Sequence, residues 1–252
     1  MTDPITPPAP ASAGDTAPPP QRIVAFGARG YSTIILRDVL DHAPPAVQIA
    51  ALLDEISNGF DHPQFGAPVI SRATRRERFA DLPVLVTVGS PALRQRIIAD
   101  LLAEGAALGG SAFRQLGLID PSATIGPGCV VGSPCRIGTD VRLGCGVLAI
   151  GSVIGHDSTI GDFSALGYRS MVLGHVEIGQ GVTVAPGATI GNGTPGRPLR
   201  IGDGAVIGTG AVVHDDVPAG ARMMGNPAMP VRAWVRLRRQ MEAPRARPSR
   251  SR

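Results

Sequence analysis

A six-residue repeat occupies the second half of this chain and constrains its fold more than any other feature. An aliphatic residue opens each unit, and glycine usually follows it. The aliphatic positions are Ile119, Ile125, Val131, Ile137, Leu143, Ile154, Ile160, Leu166, Val172, Ile178, Val184, Ile190, Ile201, Ile207 and Val213. The fifth position of each unit is small or β-branched. Each unit is typical of a short strand and a turn, so the repeat predicts three-unit triangular coils stacked as a parallel β-helix.

The three cysteines fit this repeat better than they fit a metal site. Cys129 and Cys135 occupy the fifth position of their units, which predicts small side chains that face inward. Together with Cys145 they form no Cys-x-x-Cys pair, and no histidine lies at zinc spacing from them. The five histidines also form no recognisable metal-binding cluster along the sequence. We therefore expect no metal.

Residues 22–105 follow a different pattern, in which apolar runs alternate with segments of helical spacing. The segments are "RIVAFGA" (22–28), "GYSTIILRDVLDHA" (30–43), "VQIAALLDE" (47–55), "LPVLVTVGS" (82–90) and "PALRQRIIADLLAEG" (91–105). Strands that alternate with helices predict a parallel sheet, which binds ligands where a strand turns into a helix. The glycine loop 27–30 lies at the first such turn, where backbone N–H groups could hold a phosphate. A tight turn that simply needs glycine is the alternative explanation.

The ends of the chain differ in composition from the rest. Residues 1–20 contain seven prolines and no basic, apolar leader, which predicts a disordered tail, no signal peptide and a cytoplasmic protein. No apolar run approaches the roughly 18–20 residues of a membrane span. All 24 basic residues are arginines, and eight lie in residues 231–252 beside one acid. No nucleic-acid-binding motif accompanies this basic end, so we expect it to be solvated and expect no nucleic-acid partner.

Several motifs, taken in their order along the chain, resemble one family. They are "AFGARGYSTII", "ALLDE" followed by "FGAPVI", "VTVGSPALRQRII", "IDPSATIGPG", "IGHDSTIGDFS", "VIGTGAVVHDDVPAG" and "GNPA". Over residues 22–235 the chain resembles bacterial nucleotide-sugar N-acetyltransferases and the related sialic-acid O-acetyltransferase-like proteins. The resemblance implies a small Rossmann-like N-terminal domain followed by a left-handed parallel β-helix with a short C-terminal helix. It also implies a homotrimer.

Composition and this resemblance together predict four segments. They are a disordered tail (1–20), a Rossmann-like nucleotide-sugar-binding domain (21–117), a left-handed β-helix acyltransferase domain (118–230) and a C-terminal helix with a basic tail (231–252). The resemblance implies that acetyl-CoA lies along the β-helix, in a groove between neighbouring subunits.

The resemblance also assigns residues to the nucleotide-sugar site. These are Gly27, Arg29 and Gly30 in the phosphate-side loop, Asp54 near the base or ribose, and Gly89, Ser90 and Arg94 in the third strand-turn-helix segment. Arg29 replaces a glycine that is usual in the family. Its cation could contact a phosphate or face water, and the sequence favours neither.

His156 aligns with the catalytic base of the family, and Asp157 aligns with the acid that orients it. An amine that attacks a thioester must lose a proton, and imidazole can accept it near neutral pH. A carboxylate on the other ring nitrogen would select the tautomer and stabilise the imidazolium. His156 occupies the third place of its unit, which should face outward. An outward position also fits an ordinary surface histidine, so the repeat alone leaves both interpretations open.

The coenzyme site departs from the family pattern. Ala165 stands where the family commonly has a histidine that contacts the acetyl group, whereas Gly174 matches the coenzyme-side glycine. His175 is expected to be a surface residue and not a second base. Arg197 and Arg200 lie in a loop that interrupts the repeats, and they could contact CoA phosphates or simply be solvated.

The sequence therefore predicts an acetyl-CoA-dependent N-acetyltransferase that acts on an amino nucleotide sugar in glycan or natural-product biosynthesis. One alternative keeps the enzyme but makes the acceptor a sugar hydroxyl or another small acceptor. The other alternative is a non-catalytic nucleotide-sugar-binding protein, in which Ala165 marks lost activity.

Overall fold

The computed structural model describes residues 21–42, 47–110, 118–132 and 134–242. Within these residues an α/β part is followed by a long β part and a C-terminal helix. The predicted tail at residues 1–20 and the basic residues beyond 242 lie outside the described residues.

The first part is a five-stranded sheet with helices between its strands. Its strands are β1 (Gln21–Phe26), β2 (Val47–Leu53), β3 (Phe60–Asp61), β4 (Pro68–Ile70) and β5 (Val84–Val86). Its helices are α1 (Tyr31–His42), α2 (Arg72–Arg78) and α3 (Pro91–Ala103). The strand order is β3-β4-β2-β1-β5, and every pair is parallel except β3 with β4. The structure thus confirms the predicted alternation, and it adds β3, β4 and α2, which the sequence pattern had not indicated.

The second part winds through three sheets in turn, and we call these sheets the first, second and third faces. The first face contains β7 (Val130–Gly132), β10 (Leu148–Ile150), β13 (Ala165–Leu166), β16 (Thr183–Val184), β19 (Val206–Ile207), β21 (Arg222–Met224) and β22 (Met229–Pro230). The second face contains β8 (Arg136–Ile137), β11 (Val153–Ile154), β14 (Met171–Val172), β17 (Thr189–Ile190) and β20 (Val212–Val213). The third face contains β6 (Thr124–Ile125), β9 (Arg142–Leu143), β12 (Thr159–Ile160), β15 (Val176–Ile178) and β18 (Leu199–Ile201).

Parallel pairing between successive coils confirms the predicted β-helix. Ile154 pairs with Val172 and Val172 pairs with Ile190, so these coils advance by 18 residues. A coil that contains the short unit before Ile154 advances by 17 residues, as the pairing of Ile137 with Ile154 shows. The repeated aliphatic side chains form one continuous buried core inside the three faces. Cys129 and Cys135 belong to that core, as predicted, and burial raises the pKa of the Cys129 thiol to about 11.

The C-terminal end of the β-helix carries the predicted helix, α4 (Val231–Glu242). It follows the antiparallel pair β21–β22 and packs on both of these strands. The ring of Trp234 lies against Gly225, where a Cβ atom would come within 2.7 Å of Cδ1. By length and hydropathy, none of the helices that the structure describes qualifies as a membrane-spanning segment.

The α/β part packs on the first face of the β-helix. Ile35 and Leu36 of α1 share a buried cluster with Val130, Leu148 and Ile150 of β7 and β10. The chain passes from the first face to the second and then to the third. The edge where the second face meets the third is therefore opposite the α/β part, and we call this edge the far corner.

Arg94 joins the two parts, which corrects its predicted place in the nucleotide-sugar site. Its side chain is fully buried, and its guanidinium donates to the carbonyls of Val88 and Gly89 beside α3. It also donates to the carbonyls of three β-helix turn residues, which are Gly146, Phe163 and Ser164. Burial lowers the pKa of Arg94 to about 10, so the group stays charged at neutral pH. Because these hydrogen bonds use the N–H groups of its guanidinium, Arg94 has no donor left to bind a substrate.

Replacing Arg94 by methionine should destabilise the protein strongly, because Met fills much of the space but leaves several buried carbonyls without a donor. Each such group costs about 1–3 kcal/mol, so we expect a loss of about 3 kcal/mol or more in the free energy of unfolding. Chemical denaturation followed by circular dichroism measures this loss. The matched control is Arg96→Met on the exposed side of α3, which should cost under about 0.5 kcal/mol. Equal losses in the free energy of unfolding for the two variants would contradict the role of Arg94 as a buried link between the two parts.

Candidate functional site

His156 and Asp157 lie in the turn between β11 and β12, at the far corner. Backbone hydrogen bonds to the adjacent coils fix this turn. The Asp157 N–H donates to the Thr139 carbonyl, and the His156 carbonyl accepts from the His175 N–H. Asp157 has a φ of 54°, a left-handed conformation that turns the chain sharply at the corner. Both side chains therefore project from a rigid edge of the prism.

The two side chains form a histidine–carboxylate pair. The Nδ1 atom of His156 lies 2.7 Å from Oδ2 of Asp157, and both side chains are about half exposed. An anionic carboxylate at this distance favours the tautomer that carries its proton on Nδ1. The lone pair of His156 Nε2 is then free. The outward orientation that the repeat predicted is confirmed, while the catalytic role stays a prediction.

Gly174 lies one coil above His156 and provides space for its ring. A Cβ atom at Gly174 would come within 2.6 Å of both Cε1 and Nε2 of His156, so any larger residue would displace the imidazole. The Gly174 N–H donates to Oδ1 of Asn192 at 2.9 Å. Asn192 was absent from the sequence prediction, because it is close to Gly174 only through the stacking of coils.

His175 is part of this cluster, contrary to the expectation that it is only a surface residue. Its ring meets that of His156 edge to face, with centroids 5.0 Å apart. Its Nδ1 lies 3.9 Å from Oδ2 of Asp157, and its side chain is 23% exposed. The structure thus brings together two histidines and an aspartate.

Ala165 lies elsewhere, which corrects its assignment beside the coenzyme in this chain. It belongs to β13 on the first face and packs in the cluster under α1. Tyr168 packs against the same cluster, and its ring lies against Gly151. Neither residue is near His156 of the same chain. Ala165 lies on the first face, opposite the far corner, and Tyr168 lies in the turn between the first and second faces.

An open cavity of about 450 Å³ continues from Asn192 toward the next coil. Its lining includes Thr194, Arg197, His214 and Asp215. Arg200 does not line it, and its guanidinium instead pairs with Glu177 on the third face at 2.8 Å. Of the two arginines that the sequence proposed for CoA, only Arg197 is placed to contact a ligand in this cavity.

The second predicted site lies at the carboxyl ends of β1, β2 and β5. Gly27 has a φ of 120°, and a Cβ atom there would lie 2.5 Å from Cβ of Ser32, so glycine is required. The Gly27 N–H donates to the Leu53 carbonyl and is not available to a phosphate. Gly30 is also left-handed, with a φ of 58°. Gly89 contacts Tyr31 closely.

Two of the remaining predicted residues are committed to the protein itself. Ser90 caps α3, where its hydroxyl accepts from the Leu93 N–H. Arg29 forms a two-point ion pair with Asp54 at 2.8 and 3.0 Å, and its side chain is about half exposed.

Asp54 accepts the hydrogen bonds that hold this edge of the sheet together. Burial alone would raise the pKa of Asp54, but the hydrogen bonds from Arg29 and from the N–H groups of Ile56 and Ser57 outweigh it. The pKa of Asp54 is therefore lowered, and the carboxylate stays ionised. Arg29 uses Nε and Nη2 in the pair, which leaves Nη1 directed away from Asp54.

Comparison with solved structures gives several matches that extend over both parts of the chain. The acetyltransferase domain of PglB from Neisseria gonorrhoeae FA1090, in complex with acetyl coenzyme A, is 25% identical with a TM-score of 0.70. The match covers 84% of this chain and 99% of that one. PerB from Caulobacter crescentus, in complex with CoA and GDP-perosamine, is 25% identical with a TM-score of 0.68 and coverages of 82% and 96%. WeeI from Acinetobacter baumannii AYE is 25% identical with a TM-score of 0.64 and coverages of 83% and 99%.

No protein-family model matches the chain, and a comparison with curated protein sequences also gives no match. The solved structures nevertheless confirm the resemblance inferred from the sequence, since they include an acetyltransferase domain bound to acetyl coenzyme A and a protein bound to CoA and GDP-perosamine. They also confirm the fold class, a small α/β domain followed by a left-handed parallel β-helix.

Proposed function

We propose that this chain is an acetyl-CoA-dependent N-acetyltransferase that acts on an amino nucleotide sugar. The observation that carries the proposal is the His156–Asp157 pair beside Gly174, on the same fold as acetyltransferases solved with acetyl coenzyme A or with CoA and GDP-perosamine. The cofactor is acetyl-CoA as acyl donor, and the reaction needs no metal. The protein acts in the cytoplasm, on a sugar destined for a glycan or a glycosylated natural product.

His156 is the general base. Its free Nε2 takes a proton from the sugar amine as the nitrogen attacks the thioester carbon, so no positive charge builds up on that nitrogen. Asp157 stabilises the imidazolium that forms. When the tetrahedral intermediate collapses, the C–S bond breaks and the imidazolium returns the proton to the CoA thiolate. The amide and free CoA then leave, and His156 is regenerated.

Asn192 supplies the donor that polarises the thioester carbonyl. The Gly174 N–H already donates to Asn192 Oδ1, so in this arrangement it cannot also serve the substrate. The same bond fixes the orientation of the amide, because the oxygen must face the N–H. The Asn192 NH₂ group then points the other way, and no protein acceptor in the described part of the chain takes it. A donor that is already oriented stabilises a developing oxyanion effectively.

Arg197 binds the phosphates of the coenzyme. It lines the cavity that begins at Asn192, so a CoA molecule whose thioester lies at Gly174 can extend toward its guanidinium. At the other site, Arg29 presents its Nη1 group beside the glycine loop 27–30, where a diphosphate can accept from it. Asp54 holds Arg29 in this position.

A homotrimer completes the active site. His156 lies at the far corner, opposite the face that carries the α/β domain of its own chain. A nucleotide sugar held at Gly27–Gly30 of that domain therefore cannot present its amine to His156 of the same chain without crossing the prism. If the α/β domain of a neighbouring subunit approaches the far corner, its nucleotide sugar can reach His156 of this chain. Cyclic symmetry repeats this arrangement at each interface of the trimer.

His156→Ala should lower turnover at least about a hundredfold but keep ligand binding. Loss of a general base costs about 10²- to 10⁴-fold in kcat, while the coenzyme cavity is untouched. Thiol release is measured with acetyl-CoA and a panel of GDP- and UDP-linked amino sugars and their hydroxyl counterparts, and acetyl-CoA binding is measured by calorimetry. Turnover within tenfold of wild type would refute the assigned base. A wild-type protein that binds the nucleotide sugar yet releases no thiol would indicate the non-catalytic alternative.

Substitutions of Asn192 distinguish the two possible donors. Asn192→Asp keeps an oxygen for the Gly174 N–H but removes the NH₂ group, so kcat should fall about 10²-fold. Asn192→Ala also removes the NH₂ group but frees the Gly174 N–H. A fall in kcat for both variants supports the Asn192 donor. An Asn192→Ala enzyme as fast as wild type would assign the role to Gly174 instead.

Mixed oligomers test the shared site. His156→Ala lacks the base, and Arg29→Glu places an acid beside the diphosphate, so each variant alone should be inactive. Co-expressed with different tags and purified through both, the two variants should regain about a third of the wild-type activity, because each mixed trimer has one intact interface out of three. Mixed oligomers that stay inactive would show that each chain uses its own two sites.

A further inference from the structure

The cluster at the far corner has the composition of a metal site. Among the residues that the structure describes, His156, Asp157 and His175 form a group of three ligand-bearing side chains whose ligand atoms all lie within 4.8 Å of one another. Two imidazoles and one carboxylate suit Zn²⁺ and related first-row dications, whereas Mg²⁺ and Ca²⁺ prefer oxygen ligands. All three side chains are at least partly exposed, so an ion can reach them.

Two nitrogens converge on the same carboxylate oxygen. Oδ2 of Asp157 lies 2.7 Å from Nδ1 of His156 and 3.9 Å from Nδ1 of His175. The two rings are nearly perpendicular, at 89°. Around a tetrahedral zinc with bonds of about 2.0–2.2 Å, neighbouring ligand atoms lie about 3.3–3.6 Å apart. The observed spacings bracket this range, so modest side-chain rotations suffice for coordination.

The backbone holds the cluster in place before any ion arrives. Asp157 and His175 stack one coil apart, and both have a φ of 54°. The His175 N–H donates to the His156 carbonyl, and the His175 carbonyl accepts from the Leu199 N–H. The three ligands thus belong to consecutive turns of a rigid rod, and little order has to be created on binding.

We infer that each chain binds one Zn²⁺, or a chemically similar first-row dication, through Nδ1 of His156, Oδ2 of Asp157 and Nδ1 of His175, and that the bound ion inhibits acetyl transfer. Water fills the remaining coordination position. The ion is a reversible inhibitor and not a cofactor. The zinc site stands by itself, whereas the inhibition rests on the proposed function.

Inhibition follows from the tautomer of His156. Without metal, Asp157 holds the proton on Nδ1 and leaves the Nε2 lone pair for the substrate. A metal ion bound to Nδ1 needs the lone pair of Nδ1 itself, so the ring proton must move from Nδ1 to Nε2 through water. The imidazole stays neutral, but Nε2 now carries a hydrogen and cannot accept another. The same ion also occupies the Asp157 oxygen that would stabilise the imidazolium.

Calorimetric titration of the full-length oligomer with ZnCl₂ tests the site directly. Wild type should bind one zinc per chain, and Mg²⁺ should give no signal. His175→Asn keeps a residue type that tolerates positive φ but removes one ligand, so zinc affinity should fall at least about tenfold. His214→Gln is the matched control, because His214 also precedes an aspartate in a turn at the far corner but lies outside this cluster, so the variant should keep wild-type zinc affinity. Unchanged zinc affinity in a folded His175→Asn protein would overturn the site.

Inhibition is measured separately, with each protein compared with its own rate in EDTA. Saturating zinc should slow wild-type acetyl transfer at least about tenfold, and EDTA should restore it, since the general base is worth at least that much. The zinc concentration needed for half inhibition should rise at least tenfold in His175→Asn. Wild-type acetyl transfer that is unaffected by saturating zinc would overturn the inhibition. Because calorimetry needs no turnover, a protein without acetyltransferase activity would refute the proposed function and still decide the zinc site.

Discussion

Parallel hydrogen bonding between successive coils is the constraint on which the rest of the molecule depends. Each short strand pairs with strands one coil below and one coil above, as β11 does with β8 and β14. Strands this short would not be stable alone, and stacking gives them both a continuous core and a fixed register. Because the register is fixed, side chains 18 residues apart become neighbours along an edge. The residues of the candidate active site at the far corner come together in this way, with His156 beneath Gly174 and Gly174 beneath Asn192.

The same stacking separates the two ligand sites that we propose. The α/β domain covers the first face through apolar contacts of α1, and Arg94 secures it with donors to five carbonyls. An arginine that binds five backbone acceptors on both sides of a domain boundary leaves little freedom for the domains to move apart. With the domain held on one face and His156 on the opposite edge, the geometry of a single chain favours a shared active site. The assembly we propose is thus a consequence of how the domains are joined.

Several residues proved to be engaged with the protein where the sequence had offered them to a ligand. Arg29 pairs with Asp54, Arg200 pairs with Glu177, and the Gly174 N–H binds Asn192. A charged or polar residue at a motif position does not reveal its partner, because that partner is often distant along the chain. Asp54 illustrates the effect on chemistry, since its neighbours lower its pKa despite its burial. In this protein the sequence motifs indicated where the sites lie. The hydrogen-bond partners seen in the structure then showed which residues of each site are already bonded within the protein.

The sequence by itself determined the β-helix, the preceding α/β domain, the C-terminal helix and the outward position of His156, because periodicity and local motifs encode each of them. It also placed Cys129 and Cys135 in the core, since the fifth position of a unit faces inward. Only the tertiary structure decided that Arg94 is a buried link, that Ala165 lies under α1, and that His175 and Asn192 join His156. The physical reason is distance along the chain. Residues 18 positions apart, or in different domains, meet only after the coils have stacked and the domains have packed.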